Sequence, residues 1–325
     1  MMYNILFCSA GRRVKLIQQL KQSLANTGYI ITTDMDNTAP ALFFSDKYHI
    51  VPKITEHNYI KTLLNICIKD NIKVLTTLID PEIAIIAKER VLFENLGVTL
   101  LIPSYETALL CLDKLKMYNY LKNNNIDTIN TYNLDQSLNF PVFIKPRYGS
   151  GSVGACKINN IDELRHIYEK DYIIQDYMTG IDISVVAYID CISNEVVSIF
   201  AMKKLESKIG GACKVLSYID NSLFDFVCKL NKLFDFKGPI DIDLFYQDGK
   251  YYVTEINPRF GGGYIFAHAL GVDFTQLIIK NIHKQINEVN FIDYENDRLL
   301  FMYNEVAAIS DRHPFVGNAF IRSDI

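Results

Sequence analysis

Short apolar runs alternate with stretches of helical spacing along the first hundred residues. Tyr3–Cys8 predicts a buried strand, and Arg13–Asn26 places Val14, Ile17, Leu20 and Leu24 on one helical face. A strand at Tyr29–Thr33 follows, then a helix over Tyr59–Lys69, a strand at Val74–Leu78, a helix over Pro81–Phe93 and a strand at Thr99–Ile102. Pro81 sits in a first helical turn, where its missing N–H costs nothing. Such alternation predicts an α/β fold that begins with a doubly wound parallel sheet over residues 1–103.

Pro103 and Ser104 punctuate that unit, and ALLCLDKLKMYNYLKNNNI continues as one or two helices. From Phe140 the texture changes to antiparallel strands with Gly-rich turns: PVFIKPRYGSGSVGACKI, YIIQDYM, DISVVAYID and VVSIFAMKK. A helix from about Leu223 to Phe234 leads into two strands, IDIDLFY and KYYVTEIN, and Asp273–Lys284 is again helical. Residues 104–286 therefore form a second unit, with 287–325 as a C-terminal segment packed on the core. No repeat or low-complexity linker separates the parts, so they are expected to pack together.

Composition narrows the function classes. At 325 residues the chain exceeds the usual single core, and 49% hydrophobic with 22% charged residues is ordinary for a globular protein. A formal net charge of −4 offers no basic field for nucleic acid. The seven cysteines stand singly with no C-x-x-C pair, which fits reduced thiols packed as small core residues. No apolar run approaches the ~18–20 residues that span a bilayer. A cytoplasmic protein without membrane or nucleic-acid partners is the expectation.

Two segments carry chemistry. In FIKPRYGSGSVG a strand delivers Lys145 and a flexible turn follows, Gly149-Ser150-Gly151-Ser152-Val153-Gly154. Glycines let backbone N–H groups approach phosphate oxygens, and a lysine adds a point charge to the same anion. The lysine precedes the glycines, so this is not a P-loop; an ordinary turn is the competing reading.

The second segment runs from Asp241 through Asp243, Asp248-Gly249 and Glu255 to Asn257 and Arg259. Alternation puts Glu255 and Asn257 on one strand face, and Asp241 and Asp243 likewise. A two-residue Asp248-Gly249 turn would pair Ile242 with Glu255 and send the aspartates to the wrong side. A three-residue Gln247-Asp248-Gly249 loop pairs Asp241 with Glu255 and gathers the oxygen-bearing groups on one face. Such a face suits a hard cation such as Mg²⁺, against the plainer reading of a solvated acidic strand.

Lys114 in LDKLKMYNYL, Lys145 before GSGSVG, the segment QDYMTGIDISV and the run IDIDLF…TEINPRFGGG together resemble the ATP-grasp superfamily in order and spacing. Within it they look nearest to half of the carbamoyl phosphate synthase large chain and to pyrrolysine-biosynthesis-type ligases. The resemblance implies a pre-ATP-grasp domain followed by two α+β subdomains clamping a nucleotide. It implies ATP as cosubstrate with Mg²⁺, or Mn²⁺ as the alternative ion. Lys114 and Lys145 would contact phosphates, with Gly149–Gly154 closing over them. Gln175 stands where the family commonly has a glutamate, with Asp176, Tyr177 and Met178 along the adenine edge and Asp182 at the ribose. Asp243, Glu255 and Asn257 would ligate the metal, and Arg259 would stabilise the transferred phosphoryl group. Implied too is an ADP-forming carboxylate–amine (or thiol) ligase acting on small molecules, in a family whose members are often dimers, so a homodimer is an expectation. A kinase acting on bicarbonate or carbamate and a non-catalytic nucleotide-binding regulator are the alternatives.

Weaker features stay open at this level. Ser9-Ala10-Gly11-Arg12-Arg13 ends the first strand, where the arginines either hold an acidic substrate or pair with nearby carboxylates. Asp80-Pro81-Glu82 either faces the same crevice or caps a helix, capping being the plainer account. Any of Lys203, Lys208 and Lys214, around Gly210-Gly211, is a candidate to reach phosphate or substrate. His268 is read as a packed or surface residue rather than a catalytic one.

Overall fold

A computed structural model describes residues 2–24, 26–133, 136–149, 151–167, 171–208, 211–303, 305–307 and the backbone of 319–321. The N-terminal unit contains β1 (Asn4–Cys8), α1 (Val14–Leu24), β2 (Ile30–Asp34), β3 (Lys47–Ile50), α2 (Tyr59–Lys69), β4 (Ile72–Thr77), α3 (Asp80–Lys88), α4 (Arg90–Glu94) and β5 (Thr99–Leu100). Its strands run in the order β3-β2-β1-β4-β5, all parallel. Strand alternation serves two cores: Ile5 and Phe7 pack with α1, whereas Leu6 and Cys8 pack with Leu63, Ile83 and Phe93 on the other face.

Two local readings change. The helix expected over Pro81–Phe93 is two helices, broken at Glu89, and the short α4 turns Phe93 fully into the core. Arg90, at the break, donates to the carbonyls of Ile102 (2.8 Å) and Pro103 (2.7 Å), fixing the chain as it leaves the sheet. Strand β3 has no sequence signal of its own. Lys47-Tyr-His-Ile50 is short and half polar, and it is held by pairing with β2.

Beyond the N-terminal unit come α5 (Tyr105–Leu112), α6 (Lys114–Asn123), β6 (Thr131–Tyr132), β7 (Val142–Pro146), β8 (Cys156–Ile158), α7 (Ile161–Ile167), β9 (Tyr172–Asp176), β10 (Ile181–Ile189), β11 (Val196–Lys208), β12 (Gly211–Tyr218), α8 (Asn221–Asn231), β13 (Gly238–Gln247), β14 (Lys250–Asn257), α9 (Tyr264–Ala269), α10 (Phe274–Ile282), β15 (Leu299–Phe301) and β16 (Ala319–Ile321). They build an antiparallel sheet β6-β9-β7-β8 and a larger antiparallel sheet β14-β13-β10-β11-β12-β15, while β16 pairs antiparallel with β3.

The small sheet has its own core of Val142, Ile144, Ile158, Leu164 and Ile174. The large sheet shares one continuous core with α1 and β1, where Phe7 meets Phe260 at 5.9 Å between ring centroids. Among the described residues no helix is long and apolar enough to cross a membrane.

Candidate functional site

A cavity of about 360 Å³ opens between the small and large sheets. In β7, Val142 and Ile144 enter the small core, so Phe143 and Lys145 alternate toward the cavity, with Gln175 of β9 opposite Phe143. Lys114, Lys145, Gly149, Ser152, Val153, Gln175, Asp176, Tyr177, Met178, Asp182, Asp243 and Glu255 all line it. Ser150 lies outside the described residues. Gly151 and Gly154 belong to the same exposed turn without forming the wall, and Asn257 and Arg259 are buried beyond it. Gly149 has φ +119°, a backbone conformation that suits only glycine.

The acidic hairpin reaches its geometry by a route other than the one expected. Its turn is the two-residue Asp248-Gly249, with φ +51° and +77°, and Gln247 pairs with Lys250. A bulge then inserts Thr254 between Val253 and Glu255 and shifts the register by one residue. Asp243 therefore opposes Glu255, and Asp241 opposes Asn257, placing all four on one face. The three-residue loop is thus corrected, as is its pairing of Asp241 with Glu255. The bulge also fixes Thr254, whose hydroxyl donates to the Asp243 carbonyl (3.0 Å) and whose own carbonyl accepts from Lys145 Nζ (3.3 Å).

Charge is concentrated here. Burial pulls Lys145 down to about 8, with Glu255 opposing and Lys114 adding to the fall. Lys114 donates to the carbonyl of Gly149 (2.6 Å) and lies 3.7 Å from Glu255, joining the Gly-rich turn to the hairpin. Its helix, α6, is capped by Asp113, which also takes the Arg147 fork at 2.7 and 2.6 Å. Burial raises Glu255 above the usual carboxylate range. Burial and then the neighbouring Asp243 push Asp241 up to about 7, against the pull of Arg259 and Lys204.

At the other end of the cavity, Asp176 accepts from Asn130 (2.9 Å) and Tyr132 (2.8 Å), and buried Gln175 donates to Thr131 (3.0 Å). Both side chains are thus engaged with the strand beside them.

Lys204 is the residue that sequence reasoning missed. Its Nζ sits 3.1 Å from Asp182 and 2.7 Å from Asp243, inside the cavity wall. None of the three lysines singled out in its place lines the cavity. Lys203 lies over the Tyr218 ring at 4.2 Å, and Lys208 and Lys214 both pair with Glu206. Parity along β11 holds the signal, because Met202 and Lys204 share a face that Lys203 does not.

Asp80 also departs from its plainer reading. The N-cap of α3 is Ile79 with no side-chain cap, and the Asp80 carboxylate instead takes Arg259 Nη2 at 2.8 Å. Glu82 is fully buried and accepts from the hydroxyls of Tyr59 and Thr77. His268 packs as expected, 3.1 Å from Ser23. In the glycine run, a Cβ on Gly261 would fall 2.2 Å from Asp241 Cγ, so this glycine makes room for the aspartate.

Residues 5–101 match the model of a PylC-like N-terminal domain, and residues 111–263 match that of an ATP-grasp domain. The chain carries an ATP-grasp domain. Its grasp unit contributes the whole cavity wall, from Lys114 to Glu255. The chain is 25% identical to the carbamoyl phosphate synthase large chain of Thermoanaerobacter sp. (strain X514), over 60% of its own length and 21% of that protein. It is 26% identical to D-alanine--D-alanine ligase of Francisella tularensis subsp. novicida, over 46% of its length and 57% of the ligase. The chain thus spans about a fifth and somewhat over half of these curated relatives. In fold it is similar to N5-carboxyaminoimidazole ribonucleotide synthetase from Thermotoga maritima, with TM-score 0.69 and 18% identity over 89% of this chain and 78% of that one. L-amino acid ligase from Bacillus licheniformis gives TM-score 0.68 and 18% identity over 88% and 75%.

Proposed function

We propose that this chain activates a carboxylate with ATP as an acyl phosphate and passes the acyl group to an amine or thiol, releasing ADP and phosphate. One observation carries the reading: two lysines, one of them half-buried with its pKa pulled down to about 8, face a carboxylate-bearing hairpin across a single cavity. An anion of high charge would lie between the lysines and the hairpin and hold the Lys145 proton in place. The other end of the cavity, with Ile129, Phe143 and Phe245 beside Tyr177 and Met178, suits a flat base. Asp182, which also lines the cavity, would be the ribose contact.

In the first step an oxygen of the carboxylate attacks the γ-phosphorus, and the bond from that phosphorus to the β–γ bridging oxygen breaks. ADP leaves with the electron pair. In the second, the amine nitrogen attacks the acyl carbon, phosphate departs, and the nitrogen loses a proton. Lys114, Lys145 and Arg259 would offset charge on the transferring group. The turn Gly149–Gly154 would exclude water from the acyl phosphate.

Asp243, Glu255 and Asn257 would hold Mg²⁺, or Mn²⁺. Among the described residues no three His, Cys, Asp or Glu side chains form a metal cage. An ion held by one or two carboxylates plus substrate phosphates needs no such cage, and a cation there would offset the burial that raises Asp241 and Glu255. Bound, the ion neutralises phosphate charge. We take residues 1–103, 104–286 and 287–325 as the functional units and place the reaction in the cytosol, in keeping with seven free cysteines.

ADP release from Mg²⁺-ATP over paired acids and amines tests the reading. Glu255→Gln should lower turnover at least 100-fold with the unfolding temperature within a few degrees of wild type. Near-wild-type turnover in that variant would remove the site.

A further inference from the structure

Three neighbouring strands bring opposite charges together over the large sheet. Ser184 of β10 opposes Asp243 of β13 on one side and Met202 of β11 on the other. Asp182 and Lys204, each two residues further along its strand, keep that same face. Strands lie about 4.8 Å apart, and the Lys204 stem crosses β10 to bring its Nζ 2.7 Å from Asp243 and 3.1 Å from Asp182. Lys114 of α6 stands 3.7 Å from Glu255.

These pairs engage both carboxylates assigned above to Mg²⁺. Among the charged side chains lining the cavity, Lys114, Lys145 and Lys204 formally balance Asp182, Asp243 and Glu255. Asp176, also in the wall, is held by Asn130 and Tyr132. A divalent cation entering alone meets carboxylates that already have partners, and each ammonium it displaces has only water to turn to. Polyphosphate changes that exchange. Its oxygens take the ammonium groups through charge-assisted hydrogen bonds. The carboxylates left behind become free oxygen ligands, and carboxylates with substrate phosphates are the mixed set that Mg²⁺ takes.

We infer that Lys204 is an internal cation that keeps the metal ligands closed until nucleotide arrives. It holds Asp243 and Asp182 in the free chain and passes to the phosphates when they enter, so a divalent cation binds only together with the nucleotide. The inference rests on the Mg²⁺ assignment above and adds the order in which the site fills. Lys204 carries this role rather than Lys114, whose Nζ is farther from its carboxylate and also donates to the Gly149 carbonyl at 2.6 Å. By linkage, the factor by which nucleotide tightens the cation is the factor by which the cation tightens nucleotide. Lys204 sets the size of that factor.

The test uses the full chain, Mn²⁺ as the metal probe and the non-hydrolysable analogue AMP-PNP as the nucleotide, with binding read by titration calorimetry instead of turnover. Without nucleotide, Lys204→Gln should bind Mn²⁺ at least tenfold more tightly than wild type, a gain that a folding defect would not give. Adding Asp243→Asn to that variant should abolish the gain. Lys204→Arg keeps a cation in place and should stay within threefold of wild type, as should Lys203→Gln. AMP-PNP should bind wild type at least 100-fold more tightly with Mn²⁺ than with EDTA, and in Lys204→Gln that ratio should be at least fivefold smaller. Unchanged Mn²⁺ affinity in Lys204→Gln, an equal gain in Lys204→Arg, or a gain that survives Asp243→Asn overturns the inference and leaves the ligase reading standing. A wild-type chain that binds AMP-PNP equally with Mn²⁺ and with EDTA overturns the Mg²⁺ assignment with it.

Discussion

Lys203 and Lys204 are adjacent, yet alternation gives them opposite environments. Lys204 is half-buried between Asp182 and Asp243; burial alone would lower its pKa, but the two carboxylates outweigh it and raise it. Lys203 rests on an aromatic face on the other side of the sheet. Removing Lys204 leaves two carboxylates facing the cavity proposed to take the polyphosphate, with no internal cation between them. Lys204→Ala should therefore raise the KM for ATP at least tenfold, while Lys203→Ala changes it less than twofold. Paired ADP-release kinetics decide this, and equal effects would mean that strand parity does not control access to the site. The sequence contains both lysines in a run of like residues. Only the pairing of β11 with β10, which sets the parity, distinguishes them.

At the scale of elements, the wound sheet and the oxygen-bearing hairpin are legible in the sequence because period-two and period-3.6 patterns are local. What is not legible depends on an inserted residue. Asp248-Gly249 is a strong two-residue turn signal, and followed alone it puts the acids on the wrong side. The Thr254 bulge that restores them carries no glycine to announce it. The Asp80–Arg259 pair spans 179 residues and is equally invisible to local pattern. Glu82 shows how elements are joined by such contacts, since its carboxyl ties α3 to Tyr59 of α2 and Thr77 of β4. Burial lifts it to about 8; a hydrogen bond from Ser9 opposes that, and Asp34 adds to it. A carboxyl raised in the folded state binds more protons folded than unfolded, so its contribution is intact below about pH 4.5 and is lost as pH climbs toward 8. The neutral isostere Glu82→Gln escapes that loss. Urea unfolding should show the variant gaining on wild type by on the order of 3 kcal/mol between pH 5 and pH 9. A gap that stays constant with pH would show that Glu82 is ionised in the folded protein.

For the whole molecule, Phe260 decides whether the N-terminal unit and the grasp unit behave as one body. It is 1% exposed, immediately follows Arg259, and meets Phe7 of the first strand as well as Tyr264 and Phe274. Its carbonyl also accepts from Arg259 Nη1 at 3.2 Å. A single ring therefore packs the parallel sheet against the large antiparallel sheet and anchors the backbone of the arginine between them. Truncating a buried phenylalanine costs roughly 3–5 kcal/mol, because the cavity left behind closes only in part. If the shared core makes the two units cooperative, Phe260→Ala should lower the temperature of one calorimetric transition without splitting it. The KM for the acid should rise more than that for ATP, since Arg259 loses its support while the lysines at the far side of the hairpin keep theirs. Two resolved transitions in the wild-type chain would show that the units melt independently, and coupling between crevice and cavity would then have to pass through polar contacts such as the Asp80–Arg259 pair.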